Sequence, residues 1–207
     1  MLARAIRNGW GKRDRELIDA YCRLRAAIFA DRLDWNVHVR NNRETDEFDL
    51  LDPTYIVVTS DDGAIIGGAR LLPALGATML ERTFPQLLAV GRVNAHARMI
   101  ESSRFCVDTT FSEGRGGPLH QATLTMFAAI IEWSMLNGYT EIATATDLRF
   151  ERILNRAGWP MKRLGKPCRI GSTIAIAGIL PADRASFIQV CPPGYRSAFQ
   201  ATRRQAA

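Results

Sequence analysis

Four charged residues stand where an apolar core would be expected. Glu101 and Arg104 interrupt the run from Met99 to Val107. Arg70 follows the apolar stretch Ala64 to Ala69 and precedes Leu71 and Leu72, and Arg25 lies between Leu24 and Ile28. A buried charge is costly unless it is paired or hydrogen-bonded. Repeating this placement four times points to a polar site set into the core. Carboxylates there can hold cations or protons, and guanidinium forks can hold anions.

Other chemistries lack their residues. Cys22, Cys106, Cys168 and Cys191 are widely separated and form no CxxC pair, and His38, His96 and His120 are scattered. Neither a zinc spacing nor a disulfide framework emerges, so the cysteines read as reduced apolar fillers. The sequence holds no HExxH motif and no serine-hydrolase elbow, and no metal is expected.

The elements that must position the charges follow from periodicity. Residues Ala3 to Arg7 suit a short strand. Residues 15 to about 30 read as a helix, with Leu17, Tyr21, Leu24 and Ile28 at three- and four-residue intervals. A long polar stretch from Asp34 to Pro53 carries Trp35, Phe48 and many charges. Such loops are usually functional or mobile, and a mobile loop is expected over about 34–53. Tyr55 to Ser60 and Ala64 to Leu72 flank the turn Asp61-Asp62-Gly63 and form a predicted hairpin. A short helix is expected around Phe84 to Leu88, and Met99 to Val107 reads as a central strand. The turn-rich segment Ser112 to Pro118 leads into an apolar helix from about Leu119 to Asn137, closed by Gly138. Glu141 to Thr146 follows as a strand, Arg149 to Ala157 as a helix, and Ser172 to Ile179 as a late strand. Pro181 starts a last helix or turn, and a C-terminal tail is expected over about 195–207. This order implies one α/β domain over residues 1–207, a three-layer α-β-α sandwich with a mixed central sheet. Acyltransferases of the acetyltransferase (GNAT-like) type share that order, and in them two central strands splay apart to admit a pantetheine arm.

The 207 residues suit one domain, with 47% apolar and 23% charged residues. No apolar run approaches the roughly 20 residues that span a bilayer, and the N-terminus has no signal-peptide pattern. No membrane partner and a cytoplasmic location are expected. The net charge of +6 is uneven, with a basic run from Arg149 to Arg169. No helix-turn-helix or RNA-binding signature accompanies it, and an acidic protein partner explains such a patch equally well; no nucleic-acid partner is expected.

Several segments are specific when taken together. Arg25, Phe29 and Trp35 stand in Arg-Ala-Ala-Ile-Phe-Ala-Asp-Arg-Leu-Asp-Trp. Asp46 and Asp49 stand in Glu-Thr-Asp-Glu-Phe-Asp, Arg70 in Gly-Gly-Ala-Arg-Leu-Leu-Pro, and Glu101 and Arg104 in Glu-Ser-Ser-Arg-Phe. Gly138-Tyr139 and the segment Arg152 to Trp159 follow downstream. In this order and spacing they resemble the LuxI-type acyl-homoserine-lactone synthases, the autoinducer synthases of bacterial quorum sensing, over about residues 3 to 180.

The resemblance implies a GNAT-like fold, S-adenosylmethionine as amine donor and an acyl-acyl-carrier-protein as acyl donor. No cofactor is implied, because S-adenosylmethionine is a substrate and the phosphopantetheine arrives on the carrier. The residues agree with such a substrate. Phe29 and Trp35 suit adenosine or a sulfonium by cation–π contact. Asp46 and Asp49 suit its cationic end, an arginine fork suits its carboxylate, and Arg25 and Arg70 belong with the two aspartates to the frame around it. Glu101 is the candidate general base, directly or through water, with Arg104 beside it. Two other readings of Glu101 stay open: pairing with an arginine such as Arg104, or positioning the amine.

The turn Gly114-Arg115-Gly116-Gly117 before the long helix suits a phosphate. In similar synthases a threonine at the position of Thr144 accompanies 3-oxo-acyl donors, and Thr146 alternates onto the same face. Met126 and Leu154, with Met79, Met99 and Phe127, are candidates for an acyl pocket. Arg149, Arg152, Arg156, Lys162 and Arg163 form a docking face for the acidic carrier. Two alternatives remain: a GNAT-type N-acyltransferase that uses acyl-coenzyme A on another amine, and a non-enzymatic acyl-binding module.

Overall fold

The computed structural model describes residues 1–7, 11–33, 35–110 and 120–199. The elements in chain order are β1 (Leu2–Arg7), α1 (Lys12–Arg25), β2 (Val39–Arg40), β3 (Arg43–Glu44), β4 (Thr54–Thr59), β5 (Ile65–Pro73) and α2 (Met79–Arg82). They continue with β6 (Met99–Val107), α3 (Gln121–Leu136), β7 (Glu141–Asp147), α4 (Leu148–Arg156), β8 (Lys162–Arg163), β9 (Cys168–Ile170), β10 (Thr173–Pro181) and α5 (Arg184–Val190).

The sheet runs β1-β4-β5-β6-β7-β10-β8, with β9 also paired to β10. Strands β4 and β5 are almost continuously buried, because helices cover both faces. The period of two sorts their side chains. Ile56 and Val58 face α3, whereas Tyr55 and Val57 face α1. The three-layer α/β sandwich read from the element order is therefore present.

Among the strands of the described residues only β6 and β7 form a parallel ladder, which runs from Met99–Glu141 to Ser102–Thr144. Beyond that point β6 pairs with β5 alone and β7 with β10 alone. The two central strands splay, as expected for an acyltransferase of this type.

The structure redraws several boundaries. Helix α1 ends at Arg25 and continues as a π-helical turn over Ala26–Arg32, where the Leu33 N–H reaches the Ile28 carbonyl. A single helix was expected there, but the wider turn re-aims Ile28 and Phe29 into the core. Strands β8 and β9 were not expected, and they place Lys162 and Arg163 on the sheet edge. Helix α2 was also not expected. It is one turn long, with Thr78 as its N-cap.

The stretch over 35–53 is built onto the sheet. It holds the β2–β3 hairpin, turned through left-handed Asn41 and Asn42, and a 3-10 turn over Glu47–Leu50. The Asp46 carboxylate accepts from the Phe48 N–H, and Asp49 accepts from the Asp46 N–H, both at 2.9 Å. At the C-terminus, the Ala3 N–H donates to the Arg196 carbonyl and Ala198 N–H to the Ala3 carbonyl, so the tail begins as a cover for the β1 edge. The Gly114–Gly117 turn, Asp34 and residues 200–207 lie outside the described residues. Among the described residues no helix is long and apolar enough to cross a membrane.

Candidate active site

The site begins with one extra residue in β6. Arg70 of β5 faces Ser103, but Gly68 faces Cys106, so β6 carries three steps against two. This is a β-bulge. Its residue Arg104 adopts a left-handed φ of 55°, uncommon for any side chain but glycine. The bulge shifts the alternation by one. Ser103 and Arg104 both face α1 and the 35–53 segment, whereas Ser102 and Phe105 face α3 and α4.

On the α1 side the charges close into a ring. Arg25 donates to Glu44 at 2.5 Å and, through both terminal nitrogens, to the two oxygens of Asp49 at 2.9 Å. Arg70 donates to Asp49 at 2.8 Å and to both oxygens of Asp46, and its Nε donates to the Ser103 hydroxyl at 3.1 Å. Arg104 joins Glu44 at 3.0 Å to Asp46 at 2.8 Å. Each arginine thus bridges two carboxylates, and each carboxylate bridges two arginines. The six charges cancel, which is what permits Arg25, Glu44 and Arg70 to be wholly buried.

Aromatic groups line this ring. Arg25 lies over the Tyr21 ring at 5.4 Å, Arg70 over Phe48 at 5.4 Å, and Arg104 over Phe29 at 5.7 Å. The Tyr55 hydroxyl donates to Asp49 at 2.9 Å. Burial alone would raise the Asp49 pKa, but the Arg25 and Arg70 guanidinium groups hold it well below the usual carboxylate range.

Glu101 stands apart from the ring. One of its oxygens accepts from the Met79 N–H at 2.9 Å and the other from the Leu80 N–H at 2.8 Å, at the start of α2. Arg104 does not pair with it; Arg104 is occupied by Glu44 and Asp46. Burial pushes the Glu101 pKa up, and the two amide donors offset only part of that shift. Through these bonds Glu101 seats Met79, whose sulfur lies 3.0 Å from Arg70 and 3.7 Å from Arg104.

A groove of about 820 Å³ opens over the ring. Its walls include Asp46, Asp49, Tyr55, Met79 and Arg104, with Cys22 and His38 at its margins. That volume suits a nucleoside-sized ligand. Arg25 and Arg70 lie behind the carboxylates and do not line it. Phe29 and Trp35 stack in parallel, 5.3 Å apart with 2° between their planes, and the Trp35 indole N–H donates to Thr173 at 3.3 Å.

The other face of β6 holds a small apolar cavity between Ser102, Phe105, Phe127, Thr144, Phe150, Leu154 and Trp159. Its free volume of about 20 Å³ holds one water. Thr144 donates to the Ser102 carbonyl at 2.8 Å, at the last rung before the strands separate. Thr146 shares its face by alternation but does not line the cavity, and Met126 packs in the core against Gly67. Arg149, Arg152 and Arg156 are exposed along α4, with Lys162 and Arg163 exposed on β8. Arg163 is engaged by Glu151 at 2.7 and 2.8 Å.

Sequence reasoning passed over Glu44 and Tyr21, and it assigned Met79 to the acyl pocket, whereas Met79 lines the groove beside Arg70 and Arg104. Glu44 had a signal. It lies two residues before Asp46 on an extended strand, and Asp46 lies three before Asp49 in a 3-10 turn, so one face receives all three.

Residues 10–190 match the autoinducer synthase family model. An acyl-homoserine-lactone synthase of Rhizobium radiobacter is 65% identical over 176 residues, which covers 84% of this chain and 83% of that protein. Among solved structures, the acyl-homoserine-lactone synthase LasI is 27% identical with a TM-score of 0.80, covering 96% of this chain and 97% of its own. The coenzyme A-dependent synthase BjaI, solved with S-adenosylmethionine and isopentyl-coenzyme A, shares the fold at a TM-score of 0.82 and 22% identity, covering 96% and 93%.

Proposed function

This chain belongs to the autoinducer synthase family and is an acyltransferase that makes acyl-homoserine lactones, and from that premise we propose that it acylates S-adenosylmethionine with the acyl group of an acyl carrier protein. The observation that carries this reading is the partition made by β6. One face presents the ionic ring and the groove, the other an apolar cavity, and the strands separate between them. A thioester entering at the splay would meet an amine held in the groove.

S-adenosylmethionine brings an ammonium, a carboxylate, a sulfonium and an adenosine. Asp46 and Asp49 attract its cationic end, with Arg25 and Arg70 holding those carboxylates in place. Arg104 offers the guanidinium on the groove wall for the substrate carboxylate. Trp35, stacked on the buried Phe29, offers the aromatic face. BjaI was solved with S-adenosylmethionine.

The amine must lose a proton to attack. Glu101, its basicity raised by burial, takes that proton through a water. The amine nitrogen bonds to the thioester carbon and the carbon–sulfur bond breaks, leaving the carrier thiol. The methionine carboxylate then attacks its own γ-carbon. The carbon–sulfonium electron pair returns to sulfur, and methylthioadenosine leaves as the lactone closes.

The donor is a medium-chain 3-oxo-acyl group. The Thr144 hydroxyl, now donating to Ser102, turns to the 3-oxo oxygen, and the cavity widens between Phe105 and Phe150. The exposed face of Arg149, Arg152 and Arg156, with Lys162 and Arg163, receives the acidic carrier in the cytoplasm. The test incubates the enzyme with S-adenosylmethionine and matched acyl groups on carrier protein or coenzyme A, and identifies products by mass spectrometry. Lactone and methylthioadenosine from the carrier are expected, with an apparent KM for the carrier that rises steeply with salt. Turnover on coenzyme A alone would overturn the donor. Acylation without methylthioadenosine would overturn the acceptor.

A further inference from the structure

Tyr21 has no role assigned above, yet it touches two members of the ionic ring and reaches a third through Tyr55. It is fully buried in α1. Its hydroxyl donates to the Arg104 carbonyl at 2.7 Å. Its ring lies under Arg25 and meets Tyr55 edge-on at 5.7 Å, and Tyr55 in turn donates to Asp49. The site reserves room for it. A Cβ at Gly68 would sit 2.5 Å from the Tyr21 ring, so the strand beneath must be glycine for the ring to lie flat.

The acceptor of that hydrogen bond is the strained residue. A left-handed non-glycine residue persists only where its surroundings over-determine it. The Arg104 guanidinium must reach Glu44 and Asp46 from a strand position that ordinary alternation would turn to the other face. The bulge makes that possible, and the Tyr21 hydroxyl ties the bulge down. Burial raises the Tyr21 pKa well above its usual value, so the phenol remains a donor.

We propose that Tyr21 is a positioning residue, which fixes the left-handed backbone of Arg104 and so aims its guanidinium at the groove. The inference rests on the reading of that groove as the S-adenosylmethionine site, and it adds a residue on which acceptor affinity depends without touching the acceptor.

Tyr21→Phe tests it, because the phenyl ring keeps the Gly68, Arg25 and Tyr55 contacts and loses only the hydroxyl. The KM for S-adenosylmethionine should rise about tenfold, equivalent to ~1.4 kcal/mol. The KM for the acyl donor should stay unchanged. Tyr195→Phe supplies the comparison. It deletes a half-buried hydroxyl bonded to Glu132, outside the groove, and it should lower stability without moving either KM. In an Arg104→Lys background, loss of the Tyr21 hydroxyl should add nothing to the acceptor KM. An unchanged acceptor KM in Tyr21→Phe, or effects that add fully to Arg104→Lys, overturns the proposal.

A second measurement needs no substrate. The Arg104 Nε–H resonance, identified by its absence in Arg104→Lys, should be slowly exchanging in the wild type and fast in Tyr21→Phe. Equal exchange in both overturns the positioning role. Absence of methylthioadenosine from the wild type overturns only the acceptor reading.

Discussion

Replacing Glu44 by glutamine should open the ionic ring. Glu44 has no solvent exposure and accepts from Arg25 at 2.5 Å and from Arg104 at 3.0 and 3.1 Å. The amide keeps one oxygen for two of these donors and turns an NH2 group toward the third. The ring changes from neutral to a net charge of +1, with two guanidinium groups sharing one fewer anion. Breaking a buried ion pair from one side costs about 3–5 kcal/mol. At 2–4 °C per kcal/mol for a chain of this size, the melting midpoint should fall by roughly 6–20 °C. Calorimetry or urea unfolding at neutral pH reads this directly. Because the groups are buried, added salt should change the loss little. Arg104→Gln in the same chain restores neutrality and leaves a four-membered chain, Arg25, Asp49, Arg70 and Asp46. The double variant should be more stable than the sum of the single losses predicts, by about 0.5–3 kcal/mol. A Glu44→Gln midpoint within about 2 °C of wild type, or losses that simply add, would refute the closed-ring account.

Glu101 and Asp49 should respond to pH in opposite senses. Burial raises the Glu101 pKa, so its folded form binds a proton more readily than the unfolded chain, and that stabilisation fades as pH rises through the raised value. The stability of wild type relative to Glu101→Gln should therefore decline from about pH 4 upward, measured by urea midpoints; a difference that grows with pH would contradict the burial account. Burial would also raise Asp49, but Arg25 and Arg70 hold it low, so its contribution is complete above the ordinary carboxylate value and lost as pH falls below it. Asp49→Asn should flatten the acid side of the melting profile, and an unchanged slope would deny the pairing. Gly68→Ala drives a methyl to 2.5 Å from the Tyr21 ring. It should cost about 1–3 kcal/mol of stability and weaken acceptor binding, as steady-state kinetics would show.

The regular elements were legible because their patterns are local. Strand β6 runs from Met99 to Val107 as its apolar alternation indicates, and the hairpin and the long apolar helix stand where their turns and periods put them. The 35–53 segment was not legible as structure. Its strands are two residues long, and its order comes from arginines about twenty residues or more away in sequence, a kind of contact that no window of propensity contains. The π-helical turn after Arg25 escaped for the same reason, since tertiary contacts around Phe29 and Trp35 decide it. Charge in apolar runs marked Arg25, Arg70, Glu101 and Arg104, and the structure buries the first three and half-buries the fourth. Strict alternation, however, would have sent Arg104 to the face opposite Glu101, because a one-residue bulge leaves no mark in composition. The partners of Glu101 were hidden too, being backbone amides of a helix only four residues long.

The bulge in β6 has a consequence for how such a chain can change. If the two faces of β6 serve different molecules, as proposed, Ser102 and Phe105 can vary with the acyl group while Ser103 and Arg104 keep their partners. Signal identity is thereby uncoupled from the machinery common to all signals. A lineage can acquire a new dialect by substitutions at a handful of positions. A single-residue deletion in the same strand, by contrast, would exchange the two faces and abolish both at once.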